Sequence, residues 1–184
     1  MPHQKCLEME NRAWDYIRGR YPIAVNVLMR DIVEELCPLI GNSSIVLVGS
    51  FSDGRANYIQ EGRTVRYISD IDLVIVTRDS LKTLIERRSM ISLRLAHLAN
   101  SLVTSGPTFH IGVRYRKETE LPAFTHKVTT LGYPFWQRSL WLKSAFPVDY
   151  HPDTNPFGIG HCTENICSKL WVVIRYLSPQ RGTN

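Results

Sequence analysis

The chain has 184 residues, of which 43% are hydrophobic and 21% charged, and a formal net charge of +5. These values predict a globular protein with one main core and exclude a largely disordered chain. No apolar run is long enough to cross a bilayer, and acidic residues near the N-terminus argue against a secretory signal. We therefore expect a cytoplasmic protein that does not contact a membrane.

The basic residues are spread along the chain rather than gathered in one run. Their charge is compatible with a polyanionic partner, such as a nucleotide or a nucleic acid, and equally with a solvated basic surface. The cysteines are scattered without close pairs, which predicts reduced thiols and argues against a zinc site. They are Cys6, Cys37, Cys162 and Cys167.

The first half of the chain predicts two helices, a buried strand, a hairpin and a central strand with apolar residues on both faces. In that order they are residues 5–18, 22–41, 43–50, 56–69 and 70–77. The second helix has an apolar face that includes Ile23 and Val27. The hairpin turns at Glu61-Gly62.

The second half predicts one long helix, a strand, two short helices, a Pro-rich loop and a last helix. In that order they are residues 78–103, 108–116, 122–132, 135–145, 146–160 and 163–177. Trp136, Leu140 and Trp141 belong either to the core or to a surface that stacks a base. We divide the chain into a main domain, 1–150, and a segment 151–184 that covers the core or begins a helical second domain.

Two short motifs carry the chemistry. Gly49-Ser50 directly follows an apolar strand, and Asp70 and Asp72 open another. The period of two along a strand puts both carboxylates on one face, where burying them unpaired would cost several kcal/mol. Mg²⁺ is held by such carboxylates together with water and phosphate oxygens, and a Gly-Ser turn can bind phosphate through its amides and hydroxyl. If the two strands are neighbours, the motifs form one site for phosphoryl or nucleotidyl transfer.

These motifs resemble the signature of the DNA polymerase β-like nucleotidyltransferase superfamily over about residues 44–116. The resemblance implies an α+β fold with a small mixed sheet flanked by helices, to which the pattern over 163–177 adds a C-terminal helix. It implies that Asp70 and Asp72 are catalytic metal ligands for Mg²⁺, with Mn²⁺ as the alternative ion. It also implies that Gly49 and Ser50 bind the triphosphate of a nucleoside triphosphate, which is the substrate and gives its nucleoside monophosphate to a hydroxyl acceptor.

The chain departs from the family pattern in three places. The interval between the motifs is long, which we attribute to the hairpin, and the family's helix after Gly-Ser begins here near Phe51. Asp53 stands where many members have arginine, and Arg55 is available to compensate. The strand 108–116 lacks the family's third carboxylate. There His110 shares a face with Gly112 and is either a half-buried structural histidine or a general base.

Two functions stay open at this point. One is a nucleotidyltransferase whose acceptor is a small molecule, a protein side chain, another nucleotide or, less favoured, an RNA end. The other is a catalytically weak protein of this fold, antitoxin-like or regulatory, that binds a nucleotide or a partner protein. A homo-oligomer is compatible with either. An unrelated α/β domain in which the aspartates only begin a strand is a third interpretation.

Overall fold

The structure is a computed structural model that describes residues 2–61, 64–101, 109–123 and 139–147. Its helices are α1 (Pro2–Arg20), α2 (Ile23–Ile40), α3 (Leu81–Glu86) and α4 (Arg88–Ser101). Its strands are β1 (Ser44–Val48), β2 (Tyr58–Glu61), β3 (Thr64–Tyr67), β4 (Ile71–Thr77), β5 (Ile111–Lys117) and β6 (Leu140–Lys143). Short 3₁₀ turns cover Gly49–Phe51 and Glu118–Ala123.

The main sheet is mixed and has the strand order β5-β4-β1-β6. β1 is antiparallel to both of its neighbours, whereas β4 and β5 are parallel. β2 and β3 form a separate antiparallel hairpin between the two motif strands, as the long interval predicted. A small mixed sheet with helices is the α+β architecture expected from the sequence. The segment 151–184, with its predicted helix, lies outside the described residues.

Both faces of the central strands are buried, which explains their nearly continuous apolar sequences. Ile45 and Leu47 of β1 join the large core formed with the helices and the hairpin. Val46 and Val48 face the other way, into a smaller cluster with Trp141. β4 alternates in the same manner and lies between β5 and β1, so the prediction of a central strand is confirmed.

The predicted single helix over 78–103 is wrong, because the chain forms two helices that meet at Arg87. Ser80 caps α3 by accepting a hydrogen bond from the Lys82 amide. The Arg87 guanidinium donates to the Leu39 carbonyl at the end of α2, 2.8 Å away. Leu84 of α3 and Ile91 of α4 are both buried, so the helical spacing of apolar residues continues across the bend. The sequence pattern therefore gives no sign that the helix is interrupted.

The predicted helix over 135–145 is also wrong for its described part, where β6 pairs with β1. A short apolar run is compatible with a helix or a strand. Here it forms a strand because it pairs with the edge of β1 that β4 does not occupy. Trp141 is buried in the smaller cluster and Leu140 packs against the large core, so neither forms a base-stacking surface. Trp136 and residues 124–132 lie outside the described residues.

The apolar face predicted for α2 is misplaced at its start. Ile23 and Val27 are 82% and 49% exposed. The helix instead buries the neighbouring stripe (Val25, Leu28, Met29, Ile32, Leu36 and Ile40). Because α2 is apolar on more than one side, its sequence alone does not select the buried stripe. Among the helices that the structure describes, none is long and apolar enough to span a membrane.

Candidate functional site

One edge of the main sheet brings the two motifs together. β1 ends where the antiparallel β4 begins, and Val48 pairs with Asp72. β5 begins at the same edge, since Asp72 pairs with Gly112 across the parallel ladder. The Gly49-Ser50 turn, the aspartates and His110 therefore lie around one end of the sheet, which we call the site edge. The condition set by the sequence, that the two motif strands are neighbours, is met.

The turn after β1 has a defined backbone conformation. Gly49 has φ of 75°, a conformation that glycine adopts without a steric penalty. Its carbonyl accepts hydrogen bonds from the Ser52 amide at 3.1 Å and the Ser52 hydroxyl at 2.9 Å. The Ser50 carbonyl accepts from the Arg55 amide at 2.9 Å, and the Ser50 residue is half-buried. A 3₁₀ turn over Gly49–Phe51 replaces the helix that we predicted to begin near Phe51. After it, the Ser50 carbonyl accepts from the amide five residues on, so the α-helical hydrogen-bond pattern does not continue.

A group of aromatic side chains packs around the Gly49-Ser50 turn. Phe51 is fully buried, and the Tyr21 hydroxyl donates to its carbonyl at 2.7 Å. The Tyr21 ring lies 5.5 Å from Phe51 and 6.1 Å from Tyr58, and Tyr67 lies 6.4 Å from Phe51. Tyr67 also contacts Phe109, with ring centroids 5.0 Å apart. We call these five residues the aromatic cluster. It connects the start of α2, the hairpin and the entry to β5 to the Gly-Ser turn.

Burial changes the acidity of two tyrosines in the aromatic cluster. It raises the pKa of Tyr21 well above the usual value, because a phenolate would lose its hydration there. Desolvation likewise raises the pKa of Tyr67 to about 12. Tyrosine is already protonated at neutral pH, so these shifts affect the two hydroxyls only in alkaline solution, and at neutral pH Tyr21 acts as the donor that fixes the turn.

Asp53, which departs from the family pattern, is neutralised locally. Its side chain is only 7% exposed and forms an ion pair with Arg55. The Arg55 Nε donates to an Asp53 carboxylate oxygen at 2.9 Å, and the Arg55 amide donates to the other oxygen at 3.1 Å. The compensation by Arg55 that the sequence suggested is thus present. Asp53 serves the loop that follows the turn.

The two aspartates of the second motif have different surroundings. Asp70 is exposed, and its Oδ1 accepts a hydrogen bond from the His110 amide at 2.9 Å. Asp72 is half-buried within β4. A Cβ placed on Gly112 would lie 3.8 Å from Asp72 Oδ1 and 3.4 Å from the His110 ring, so both side chains approach the space above this glycine. His110 is exposed, which corrects the half-buried interpretation and follows from its position just before β5.

The described residues do not supply a third carboxylate at the site edge. Within them, no group of three or more His, Cys, Asp or Glu side chains could hold a metal ion. Glu118 follows β5 at the opposite end of the sheet and accepts from Arg78 at 2.9 Å, and Glu120 accepts from the Lys117 amide at 3.0 Å. Asp149 and Asp153 lie outside the described residues. Two carboxylates are a minimal set for Mg²⁺, which retains waters and takes phosphate oxygens as further ligands.

Comparison with known proteins adds no relative. No protein-family model, curated protein or solved structure matches this chain.

Nothing in the sequence indicated that Tyr21 belongs to the site, although its hydroxyl fixes the carbonyl of Phe51. A tyrosine in front of a proline at a helix start gives no signal of that role, since the contact spans 30 positions in sequence.

Proposed function

We propose that this protein is a metal-dependent nucleotidyltransferase. It would move a nucleoside monophosphate from a nucleoside triphosphate to a hydroxyl acceptor, and pyrophosphate would leave. The observation that carries the proposal is the pairing of Val48 with Asp72, which sets the Gly-Ser turn beside the aspartate motif. Triphosphate binding and metal binding have to meet within one site for this reaction, and two neighbouring strands would bring their residues together.

Each residue has a distinct role in this proposal. The turn at Gly49 lets a phosphate approach the backbone, and the Ser50 hydroxyl donates a hydrogen bond to it. Asp70 and Asp72 would hold Mg²⁺, or Mn²⁺ as the alternative. When bound, the ion neutralises charge on the phosphates. His110 approaches Asp72 above Gly112 and is the side chain of the described site edge best placed to accept the proton of the attacking hydroxyl.

The acceptor is proposed to be a hydroxyl compound other than a long RNA. Several basic residues already form ion pairs with nearby acids, among them Arg18 with Asp15 and Arg78 with Glu118. Such pairs reduce the positive potential that a nucleic-acid backbone requires. A small molecule, a protein side chain and another nucleotide remain the candidate acceptors.

A second candidate function is supported by the state of Asp70. Its Oδ1 already accepts a hydrogen bond from the His110 amide, and the described part of the site edge has no third acid. Such a site could bind a nucleotide, or a partner protein, with slow transfer or none. In this case the protein would be a nucleotide-dependent binding module or a regulatory protein, and it would form a complex without releasing pyrophosphate.

Pyrophosphate release is the experiment that tests the proposal. Each nucleoside triphosphate is incubated with the protein and a mixture of hydroxyl acceptors, with and without Mg²⁺. We expect metal-dependent release that the Asp70→Asn, Asp72→Asn double variant abolishes. Asp79→Asn is the matched control, because Asp79 follows the far end of β4 and should leave release unchanged.

The two functions predict different outcomes in this assay. Triphosphate binding without release would favour the binding module. Release that persists in the double variant would remove both aspartates from the site. Ser50→Ala should weaken triphosphate binding by about 1 kcal/mol, the net value of one hydrogen bond. An unchanged affinity of Ser50→Ala for the triphosphate would show that Ser50 does not belong to the site.

A further inference from the structure

A cavity lies on the face of β5 that packs against α4. It has a volume of about 450 Å³ and lies between α4 and β5. The strand residues Phe109, Ile111, Val113 and Tyr115 line it, and by alternation they point away from the face that Gly112 shares with Asp72. The cavity and the site edge are thus on opposite sides of β5, with His110 at the end where they meet.

The sequence of α4 explains why this space is open. Ser92, Ala96 and Ala99 face the strand at helical spacing, and all three have short side chains. Leu95 fills the inner wall and is buried. A groove of this size falls within the range of small-molecule sites, which combine apolar walls with a few polar groups.

The polar groups of the groove match an anion. Arg88 stands at the start of α4, and Ser92 and Asn100 add a hydroxyl and an amide along the helix. The described lining contains no carboxylate. The Tyr115 hydroxyl is buried and has no hydrogen-bond partner among the described residues. Buried polar atoms without a partner are rare in folded proteins and indicate a missing water or ligand.

Arg88 and Tyr115 are electrostatically linked. Burial raises the pKa of Tyr115, and the nearby positive charge of Arg88 opposes that rise. At neutral pH the hydroxyl, like that of any tyrosine, is protonated and can donate, beside the guanidinium of Arg88. A guanidinium and a phenol at one end of an apolar wall are suited to a carboxylate or phosphate group.

We propose that this groove binds a small organic anion, in which a carboxylate or phosphate group is carried on an apolar ring or chain. Arg88 and Tyr115 contact the anionic group, and Leu95, Ala96 and Val113 contact the apolar part. The groove shares His110 with the nucleotide site proposed above but none of the residues of the two motifs, and the proposal does not depend on that site. Its occupant touches neither aspartate.

The test uses the full chain and three probes of similar size in buffer with EDTA: benzoate, phenyl phosphate and neutral benzyl alcohol. Ligand-detected NMR measures their dissociation constants. We expect either anion or both to bind in the millimolar range, and benzyl alcohol to bind at least about tenfold more weakly. Binding of only one anion identifies the preferred group and supports the site. Absence of anion binding up to roughly 10 mM would overturn the proposal.

Variants locate the bound probe. Arg88→Ala should lower the affinity for the anionic probes about tenfold. Arg94→Ala, which is on the same helix but outside the groove, should leave that affinity unchanged. Ala96→Phe should block binding by filling the groove, and Ala96 is exposed, so the fold should tolerate it. Asp72→Asn should leave binding unchanged. An unchanged affinity in Arg88→Ala, or a loss in Asp72→Asn, would contradict the assignment.

Tyr115→Phe gives an independent readout in the absence of any probe. If the hydroxyl lacks a partner in the free protein, its removal should leave the melting temperature unchanged or raise it. A clear decrease in melting temperature would show that the hydroxyl is already satisfied, and would remove it from the proposed anion site.

Discussion

The Gly49-Ser50 turn and the Asp70/Asp72 pair meet at one edge but are held by different forces. The turn rests on a fully buried Phe51, a tyrosine hydroxyl and several backbone hydrogen bonds. The aspartates lie at the start of a strand, where neither side chain belongs to either core cluster. Packing alone could therefore explain why the turn has this sequence and conformation, whereas it does not explain why two aspartates stand at the start of β4. We therefore expect substitutions of Gly49 and Phe51 to lower the stability of the protein, and substitutions of the two aspartates to change it little.

The strongest test of this difference is Phe51→Ala. Loss of a fully buried phenylalanine typically costs about 3–5 kcal/mol, and here it also opens the aromatic cluster. Urea unfolding measures the change, with Leu93→Ala as the control because Leu93 is 70% exposed. A loss for Phe51→Ala no larger than that of the control would show that packing does not hold the turn.

Alkaline pH offers a test of the tyrosines in the aromatic cluster. Because burial raises the pKa of Tyr67 to about 12, above the usual 10.0, folding favours the protonated phenol. This contribution is complete below pH 10 and is lost as pH rises toward 12, at up to about 1.4 kcal/mol per pH unit.

Tyr67→Phe removes the titrating hydroxyl and should make stability above pH 10 less dependent on pH. The check is denaturant unfolding at a series of pH values, for wild type and variant in parallel. Identical slopes in the two proteins would show that Tyr67 is not protonated selectively in the folded state.

Two glycine substitutions compare the turn with an ordinary helix. Gly49→Ala should destabilise the protein by about 1–2 kcal/mol, because φ is 75° and a Cβ is disfavoured there. Gly19→Ala lies in α1 with no atom near its Cβ position, and should stabilise by about 0.5–1 kcal/mol. Thermal melting compares the two. Equal effects would mean that the turn imposes no conformation on Gly49.

The smallest effect on stability is expected for the acids. Asparagine at position 70 can still accept from the His110 amide, so Asp70→Asn should be nearly neutral, while Asp70→Ala should cost about 1 kcal/mol. The Asp70→Asn, Asp72→Asn double variant should melt at the same temperature as wild type, or slightly higher, in metal-free buffer, since a charge repulsion is removed. An unfolded double variant would make the pair structural.

Much of the framework could be predicted from local patterns. The short apolar runs, the alternation in 56–69 and the apolar faces of β4 gave the hairpin and the central strand correctly. The motifs predicted that Gly49-Ser50 and Asp70/Asp72 belong together if their strands pair, and the register Val48 to Asp72 places them side by side. Their assignment to metal and phosphate stays a prediction.

What the sequence missed depends on contacts between distant segments. β6 is a strand because β1 has a free edge, and the break at Arg87 occurs while the helical period continues across it. Tyr21 and Phe51 meet across 30 positions, a contact that no local pattern encodes. The groove beside Tyr115 was missed for the same reason, since it requires α4 and β5 to be placed together.

The most direct test of the central claim is calorimetric titration of each nucleoside triphosphate into the full chain, with Mg²⁺ and with EDTA. We expect binding that requires the metal, is lost in the Asp70→Asn, Asp72→Asn variant and is retained in Asp79→Asn. Absence of binding for every triphosphate, or equal binding by the double variant, would contradict the proposal that the two motifs form one metal and phosphate site.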